Sequence, residues 1–449
     1  MNVGKKSKQI SLMAIAALIS IGTYAQTPQK ISLSLQQAKD TALAYNRNLQ
    51  NASLDIRKAQ AQRWQVIASM LPNVSAGYDY QNTMGFKAVL SIPTGQKNPE
   101  TGEEIRQKME VKTPAQGTFN ITAGMQISGK QIVGAMIQNI AVEMADITKK
   151  QTEQTVTSTA TQLYMLALAN QQVVVLLDSS KMNIESMYQS TLNAVQVGVL
   201  EQTEADKIQV QVMKIESGLN SARQGLEILY NSLKVHLGLD ADTEIELADN
   251  LDNLTNVEAA FELLYTEFDI NENYYYQLLK RNINLSKKQI TLATMDCAPS
   301  LTVGYRFSDI QYFGGQPMMN MNPPNVIAIG VSMPLFTSGR VFKAISEKKI
   351  DYQKSLNTFH DVENQLQIQN KQLRYNLNSA YENFQIQKKN IDVSNRVFNS
   401  VSEKFRYGKA SSLEVTLAST DFISAQSSFI QSLIDMVNAQ IALRNLLNK

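Results

Sequence analysis

The chain has 449 residues, 42 Lys+Arg against 40 Asp+Glu, 43% hydrophobic residues, one Cys and two His. A formal charge of +2 gives no concentrated basic surface of the kind that nucleic-acid binding uses. The single Cys297 excludes an intrachain disulfide framework and a thiolate metal cluster, and His236 and His360 lie too far apart to suggest a His-rich metal site. Gln and Asn together number 77, so much of the polar surface is uncharged amide.

At the amino terminus Lys5, Lys6 and Lys8 precede an apolar stretch from Ile10 to Ile21, followed by Thr23-Tyr24-Ala25-Gln26. A charged start, an apolar centre and a small-x-small site describe a secretory signal peptide cut between Ala25 and Gln26. A membrane anchor is the competing reading, but a span needs about 20 apolar residues and this run is shorter. Removal of residues 1–25 takes three lysines and no acid, leaving 39 basic against 40 acidic residues, a net −1. Later segments offer no continuous apolar run of membrane-helix length. An exported chain of this kind is expected in the periplasm, outside the cell, or in an outer membrane through strands.

The ten prolines leave two long gaps, 115–298 and 335–449. Proline inside a helix costs about 3 kcal/mol, so these gaps permit long helices. Ile132, Ala135, Met136, Ile140, Val142, Ala145 and Ile147 begin a pattern of three- and four-residue steps that continues through Val156, Ala160, Leu163, Leu166, Leu176, Leu177 and Ile184. About 65 helical residues reach on the order of 100 Å, a length that indicates a coiled coil or an extended helical assembly.

The proline-bearing islands have period two. Val74, Ala76, Tyr78 and Tyr80 alternate with polar or small residues, as do Phe119, Ile121, Ala123, Met125 and Ile127. Leu301, Val303, Tyr305 and Phe307 repeat the pattern, and so do Ile327, Ile329, Val331, Met333 and Leu335. Each run is about the 9–11 residues of a lipid-facing strand, with Tyr78, Tyr80, Phe119, Tyr305, Phe307 and Phe336 as candidate interfacial aromatics. Half-buried hairpins of a water-soluble protein are the alternative.

The two halves repeat each other. Leu71-Pro72-Asn73-Val74-Ser75-Ala76-Gly77-Tyr78 matches Ala298-Pro299-Ser300-Leu301-Thr302-Val303-Gly304-Tyr305 at an offset of 227. Val197-Gly198-Val199-Leu200-Glu201 corresponds to Tyr407-Gly408-Lys409-Ala410-Ser411 at an offset of 210. Each half reads as helix, strand, loop, strand, very long helix, Gly turn and returning helix. The hairpin loops are expected at 82–118 and 309–325. Between the copies, residues 235–279 hold eleven acids and no Lys or Arg, which suits a solvated linker; a carboxylate cation site is the sharper alternative, without EF-hand spacing.

Four strands cannot close a membrane barrel, because single-chain barrels begin at eight. Strands must be pooled, and three protomers give twelve. Here the sequence resembles the TolC family of outer-membrane efflux channels, over roughly 31–449. The resemblance rests on Leu33-Ser34-Leu35-Gln36-Gln37-Ala38, Asn46-Arg47-Asn48-Leu49, Leu71-Pro72, Pro334-Leu335-Phe336 with Ser338-Gly339-Arg340, and the two Gly turns.

It implies a fold that is mainly α with membrane β: long antiparallel helical hairpins forming an α-barrel, plus four strands per protomer in a shared twelve-stranded trimeric β-barrel. The implied organisation is a first repeat at 26–238, with its β-hairpin at 71–128, long helix at 129–197 and returning helix at 200–238. An acidic equatorial linker follows at 239–270. The second repeat, 271–449, has its β-hairpin at 299–336, long helix at 339–406 and returning helix at 410–448.

The implied function is a passive exit duct of a tripartite efflux or secretion system, in the outer membrane and reaching into the periplasm. Its partners would be two further copies, a periplasmic adaptor (membrane fusion) protein, an inner-membrane transporter and outer-membrane lipid, with no cofactor, no metal and no nucleic acid. The family closes its periplasmic entrance with carboxylate rings; the matching position is Glu414, with Glu204 as its counterpart. Leu417 stands where a second acid is common, and Ala410 where some members carry Arg. Adaptor contact is expected at Val197, Gly198, Glu201, Tyr407, Gly408 and Lys409. A solvated helix face is the plain alternative for both glutamates, and an exported trimeric coiled-coil scaffold or adhesin is the alternative for the whole chain. Enzyme motifs do not occur in the sequence: there is no phosphate-binding Gly loop, no G-x-S-x-G and no H-E-x-x-H.

Overall fold

The structure is a computed structural model that describes residues 30–97, 99, 102–112, 114–251, 262–315 and 323–449. The expected signal peptide, with Ala25 and Gln26, lies outside the described residues, as do Asp252 and Glu258 of the acidic stretch. In chain order the elements are β1 (Lys30–Leu33), α1 (Leu35–Tyr45), α2 (Arg47–Ala68), β2 (Asn73–Gln81), β3 (Lys87–Lys97), β4 (Glu104–Lys112) and β5 (Ala115–Ser128). Then come α3 (Gly129–Gln196), α4 (Gln202–Leu237), β6 (Glu244–Leu247), α5 (Tyr274–Thr294), β7 (Ser300–Phe313), β8 (Asn325–Ser332), α6 (Arg340–Arg406) and α7 (Ser412–Leu447).

Corresponding helices agree closely in length. α3 has 68 residues and α6 has 67, while α4 and α7 have 36 each. The chain divides into two compact units that cut across this repeat. One unit comprises the described residues within 1–50, 152–269 and 367–449, and the other those within 51–151 and 270–366.

The first unit is helical and contains the largest core. Ala160, Tyr164, Ala167 and Leu168 of α3 are buried with Leu233 and Leu237 of α4 and with Leu433, Met436 and Val437 of α7. α3 contains a stretch long and apolar enough to cross a membrane, contrary to the sequence expectation. Part of its apolar surface is used in helix packing, through Val156, Ala160, Leu168 and Leu177, while Val175 stays 56% exposed. The Tyr164 hydroxyl donates to the Leu33 carbonyl at 2.8 Å and to Asp249 at 2.9 Å, and Asp249 accepts from the Leu35 amide at 2.6 Å. Burial first, then the bond to Asp249, pushes the Tyr164 phenol far above its ordinary value.

Asp249 lies in the acidic stretch, several of whose described residues have partners elsewhere in the chain. Its β6 pairs in parallel with β1, with Glu246 ion-paired to Lys30 at 3.1 Å, and the carbonyls of Leu264 and Thr266 accept from the Arg374 guanidinium. Basic groups from outside the stretch, Lys30 and Arg374, thus meet a carboxylate and two carbonyls within it. Among the described residues no cluster of His, Cys, Asp and Glu could hold a metal ion.

The second unit holds the sheet. Its order is β2-β5-β7-β8, all antiparallel. α2 enters β2 through Leu71-Pro72, and β5 runs directly into α3, where Gln131 accepts from the Ser128 amide at 3.0 Å. Helix packing beneath the sheet includes the Tyr276 and Phe359 rings, 4.8 Å apart, and an Arg281–Glu143 ion pair at 3.2 Å.

Three sequence expectations change here. The first loop, expected at 82–118, carries its own hairpin, in which β3 pairs antiparallel with β4 from Lys87↔Lys112 to Pro93↔Arg106, with a register shift before Lys97↔Glu104. β5 begins at Ala115 and β7 continues to Phe313, so both expected loops are shorter. β8 ends at Ser332, which leaves Met333, Leu335 and Phe336 outside it; Pro334 has no N–H to extend a ladder.

Candidate functional site

The sheet register decides which side chains share a face. Val74, Ala123, Tyr305 and Ile327 form one cross-strand row, through direct partners on successive strands. Below it lie Met125–Val303–Ile329 and Ile127–Leu301–Val331; above it lie Ala76–Ile121–Phe307. All four apolar sets therefore fall on one face. The opposite face carries Ser75–Thr122–Arg306, Gly77–Asn120–Ser308 and Gln126–Thr302–Gly330.

The apolar face is bare. Ile327, Ile329 and Val331 are 74%, 72% and 72% exposed, and covering such a side chain stabilises by about 1.5–3 kcal/mol. Among the described residues, β2 and β8 each have one unpaired edge. An exposed apolar face and two open edges are liabilities that call for a further partner.

Of the candidate aromatics, Tyr78 pairs directly with Phe119, and Tyr305 and Phe307 lie in the next rows. Tyr80 meets Phe313, a ring that the sequence reading missed, at a centroid distance of 5.9 Å. Gly117 makes room for this group: a Cβ there would stand 2.8 Å from the Tyr78 ring and 3.2 Å from Phe313. Phe336 is 86% exposed and lies beyond β8, away from these five.

The two Gly turns are built alike. Gly198 has φ 76° and Gly408 has φ 68°, both in the left-handed region where a Cβ is strained. The Gly198 amide donates to Val195 and the next amide, Val199, donates back to Ala194; Gly408 donates to Phe405 and Lys409 to Lys404. Both are Schellman endings, which satisfy the last carbonyls of α3 and α6. Val197 and Val199 are 76% and 72% exposed, and Tyr407 is 75% exposed.

The two returning helices start differently. Ser411 caps α7 in a capping box: its hydroxyl accepts from the Glu414 amide at 3.2 Å, while the Glu414 carboxylate accepts from the Ser411 amide at 2.7 Å. The backbone bond first and the hydroxyl second hold the Glu414 carboxyl below its ordinary value. At the same place α4 has Glu201, whose side chain makes no capping bond. Glu204 takes no part in a capping box and has one partner on its own helix and one on α7. It accepts from Lys207 at 2.7 Å and from the Ser412 hydroxyl, and these two bonds lower its pKa in that order. Glu414 and Glu204 thus occupy corresponding positions with different partners. Ser412, buried at the start of α7, is a further residue that the motifs did not single out.

Beneath the turns, Ile208, Ile215 and Leu219 of α4 are buried with Val415, Ala418 and Phe422 of α7, and Phe398 stacks on Phe422 at 5.6 Å. The turns are held from below by apolar packing while their tips face solvent.

Residues 279–449 match the family of outer membrane efflux proteins. A comparison with curated protein sequences finds no match. Among solved structures, the chain is similar to CusC, described as forming a transmembrane channel, with a TM-score of 0.72 at 13% identity over 95% of both chains. It is also similar to the open state of the MtrE outer membrane channel of Neisseria gonorrhoeae, with a TM-score of 0.70 at 14% identity over 92% of this chain and 88% of that one. The CmeC outer membrane channel of Campylobacter jejuni gives 0.69 at 14% identity, over 92% and 85%. At such identities the likeness concerns the fold, in which long helices are combined with a short sheet. Residues 279–449 thus match the outer membrane efflux protein family, and the chain as a whole has the fold of these outer-membrane channels.

Proposed function

We propose that three copies of the chain pool their sheets into one twelve-stranded barrel in the outer membrane, continued by a barrel of helices into the periplasm. The observation that carries this reading is the register, which collects every apolar set on one exposed face between two unpaired edges. Joining β2 of one copy to β8 of the next removes both edges, and lipid covers the apolar face. The aromatics at Tyr78, Tyr80, Phe119, Tyr305 and Phe307 then form an interfacial girdle, and the chain reaches this place after cleavage between Ala25 and Gln26.

In this reading the channel is the passive exit duct of a tripartite efflux or secretion system. Val197, Gly198, Glu201, Tyr407, Gly408 and Lys409, at the solvent-facing turns, meet a periplasmic adaptor coupled to an inner-membrane transporter. Three copies of Glu414, assisted by Glu204, supply negative charge at the entrance and favour cations there.

The test is recording in planar bilayers with Glu414→Gln, which keeps a capping-box side chain but removes the charge. Lower cation preference supports the gate; unchanged preference in a conducting channel removes Glu414 from it. For the adaptor surface, charge reversal at Glu201 or Lys409 is expected to reduce crosslinking to the adaptor, and intact crosslinking counts against that contact.

A further inference from the structure

We infer that Arg306 sets an anion-attracting level inside the β-barrel, so that the barrel favours solutes bearing oxyanion groups. The inference rests on the barrel reading above, in which the polar face of the sheet lines the lumen.

Arg306 lies near the middle of β7, in a row with Ser75, Thr122 and Val326. Across all four strands, the polar face bears only one other charged residue, Asp79, in the row of Thr118 and Ile310. That row is four residues further along β7, about 13 Å at strand rise. Asp79 is also engaged by Asn120, whose amide donates to it at 3.3 Å. Among the described residues, Arg306 has neither an ion-pair nor a hydrogen-bond partner, and it is exposed.

Its surroundings leave it free to extend. The adjacent row on the same face is Asn73–Gly124–Gly304–Ala328, and the next is Gln126–Thr302–Gly330. Gly124 and Gly304 present no side chain beside the guanidinium. Arginine in such a position offers a rigid fork of donors matched to carboxylate and phosphate oxygens.

The size of the lumen decides whether one charge per copy matters. Twelve strands spaced about 4.8 Å apart and tilted about 40° enclose a wall of roughly 12 Å radius at the backbone. The screening length is about 10 Å at 0.1 M salt and about 3 Å at 1 M. Three guanidinium groups reaching inward from the wall therefore act on most of the cross-section at 0.1 M and on little of it at 1 M.

The experiment measures reversal potentials in planar bilayers under a KCl gradient, for the wild-type chain, Arg306→Lys and Arg306→Glu. At about 0.1 M, Arg306→Glu is expected to raise the potassium-to-chloride permeability ratio about two-fold or more, Arg306→Lys to leave it near wild type, and the difference to shrink at 1 M. Conducting channels whose reversal potential ignores Arg306→Glu at 0.1 M overturn the assignment alone. A wild-type chain that gives no conductance overturns the barrel reading, and this inference with it.

Discussion

The Ser412 hydroxyl donates to the Glu204 carboxylate, tying the start of the second returning helix to the first turn of its counterpart 208 positions earlier. The bond exists because the repeat is imperfect. Where Ser411 occupies Glu414 in a capping box, the equivalent Glu201 makes no cap, and Glu204 is released to act between the two hairpins. Such a link has a measurable energy.

In a double-mutant cycle with Glu204→Ala and Ser412→Ala, thermal unfolding of the detergent-solubilised protein should give a coupling of about 1 kcal/mol. Additive effects would mean that the bond contributes nothing to holding the turns together.

The pH dependence follows from the lowered pKa values. A carboxylate held below its ordinary value of 4.5 stabilises the fold fully above that value and loses the contribution as pH falls through its lowered folded value. Acidification from neutral pH to below 4 should therefore lower the Tm, and Glu204→Gln should flatten part of that decline. An acid limb identical in Glu204→Gln and wild type would contradict the assignment.

Three Schellman glycines provide a graded series. A Cβ at Gly198 or Gly408 meets nothing within 4 Å, so substitution by Ala costs only the left-handed backbone, about 1–2 kcal/mol. Gly238 has φ 70°, and a Cβ there would strike the Tyr45 carbonyl. Gly238→Ala should be the most destabilising of the three by thermal unfolding. An equal loss at all three positions would show that the contact with Tyr45 relaxes without cost.

Neighbouring residues on β7 test the two faces of the sheet. Val303 belongs to the apolar face and Thr302 to the polar face. Val303→Lys should reduce insertion and stability by about 2–4 kcal/mol if that face meets lipid, whereas Thr302→Lys should assemble normally. The measurement is the folded fraction recovered in detergent or lipid. Equal tolerance at both sites would contradict a lipid-facing surface.

Much of this fold is legible in sequence because its devices are periodic. Proline-free gaps marked α3 and α6, and period-two runs at Val74–Tyr80, Phe119–Ile127, Leu301–Phe307 and Ile327–Leu335 marked the four strands of the large sheet. Other features depend on pairing between distant segments. The parallel β1–β6 pair joins two four-residue strands more than 200 positions apart, too short to carry a period of their own. The β3–β4 hairpin is interrupted by Pro93 and a register shift, which disguises its alternation. At the turns, glycine announced the Schellman endings, whereas the Glu204–Ser412 bond follows from a missing cap and could be found only in three dimensions.

The most direct test of the account is to purify the mature chain in detergent, determine its assembly state by mass, and record from it in planar bilayers. A trimer that needs detergent and conducts ions is expected. A water-soluble monomer, or a trimer without conductance, would contradict it.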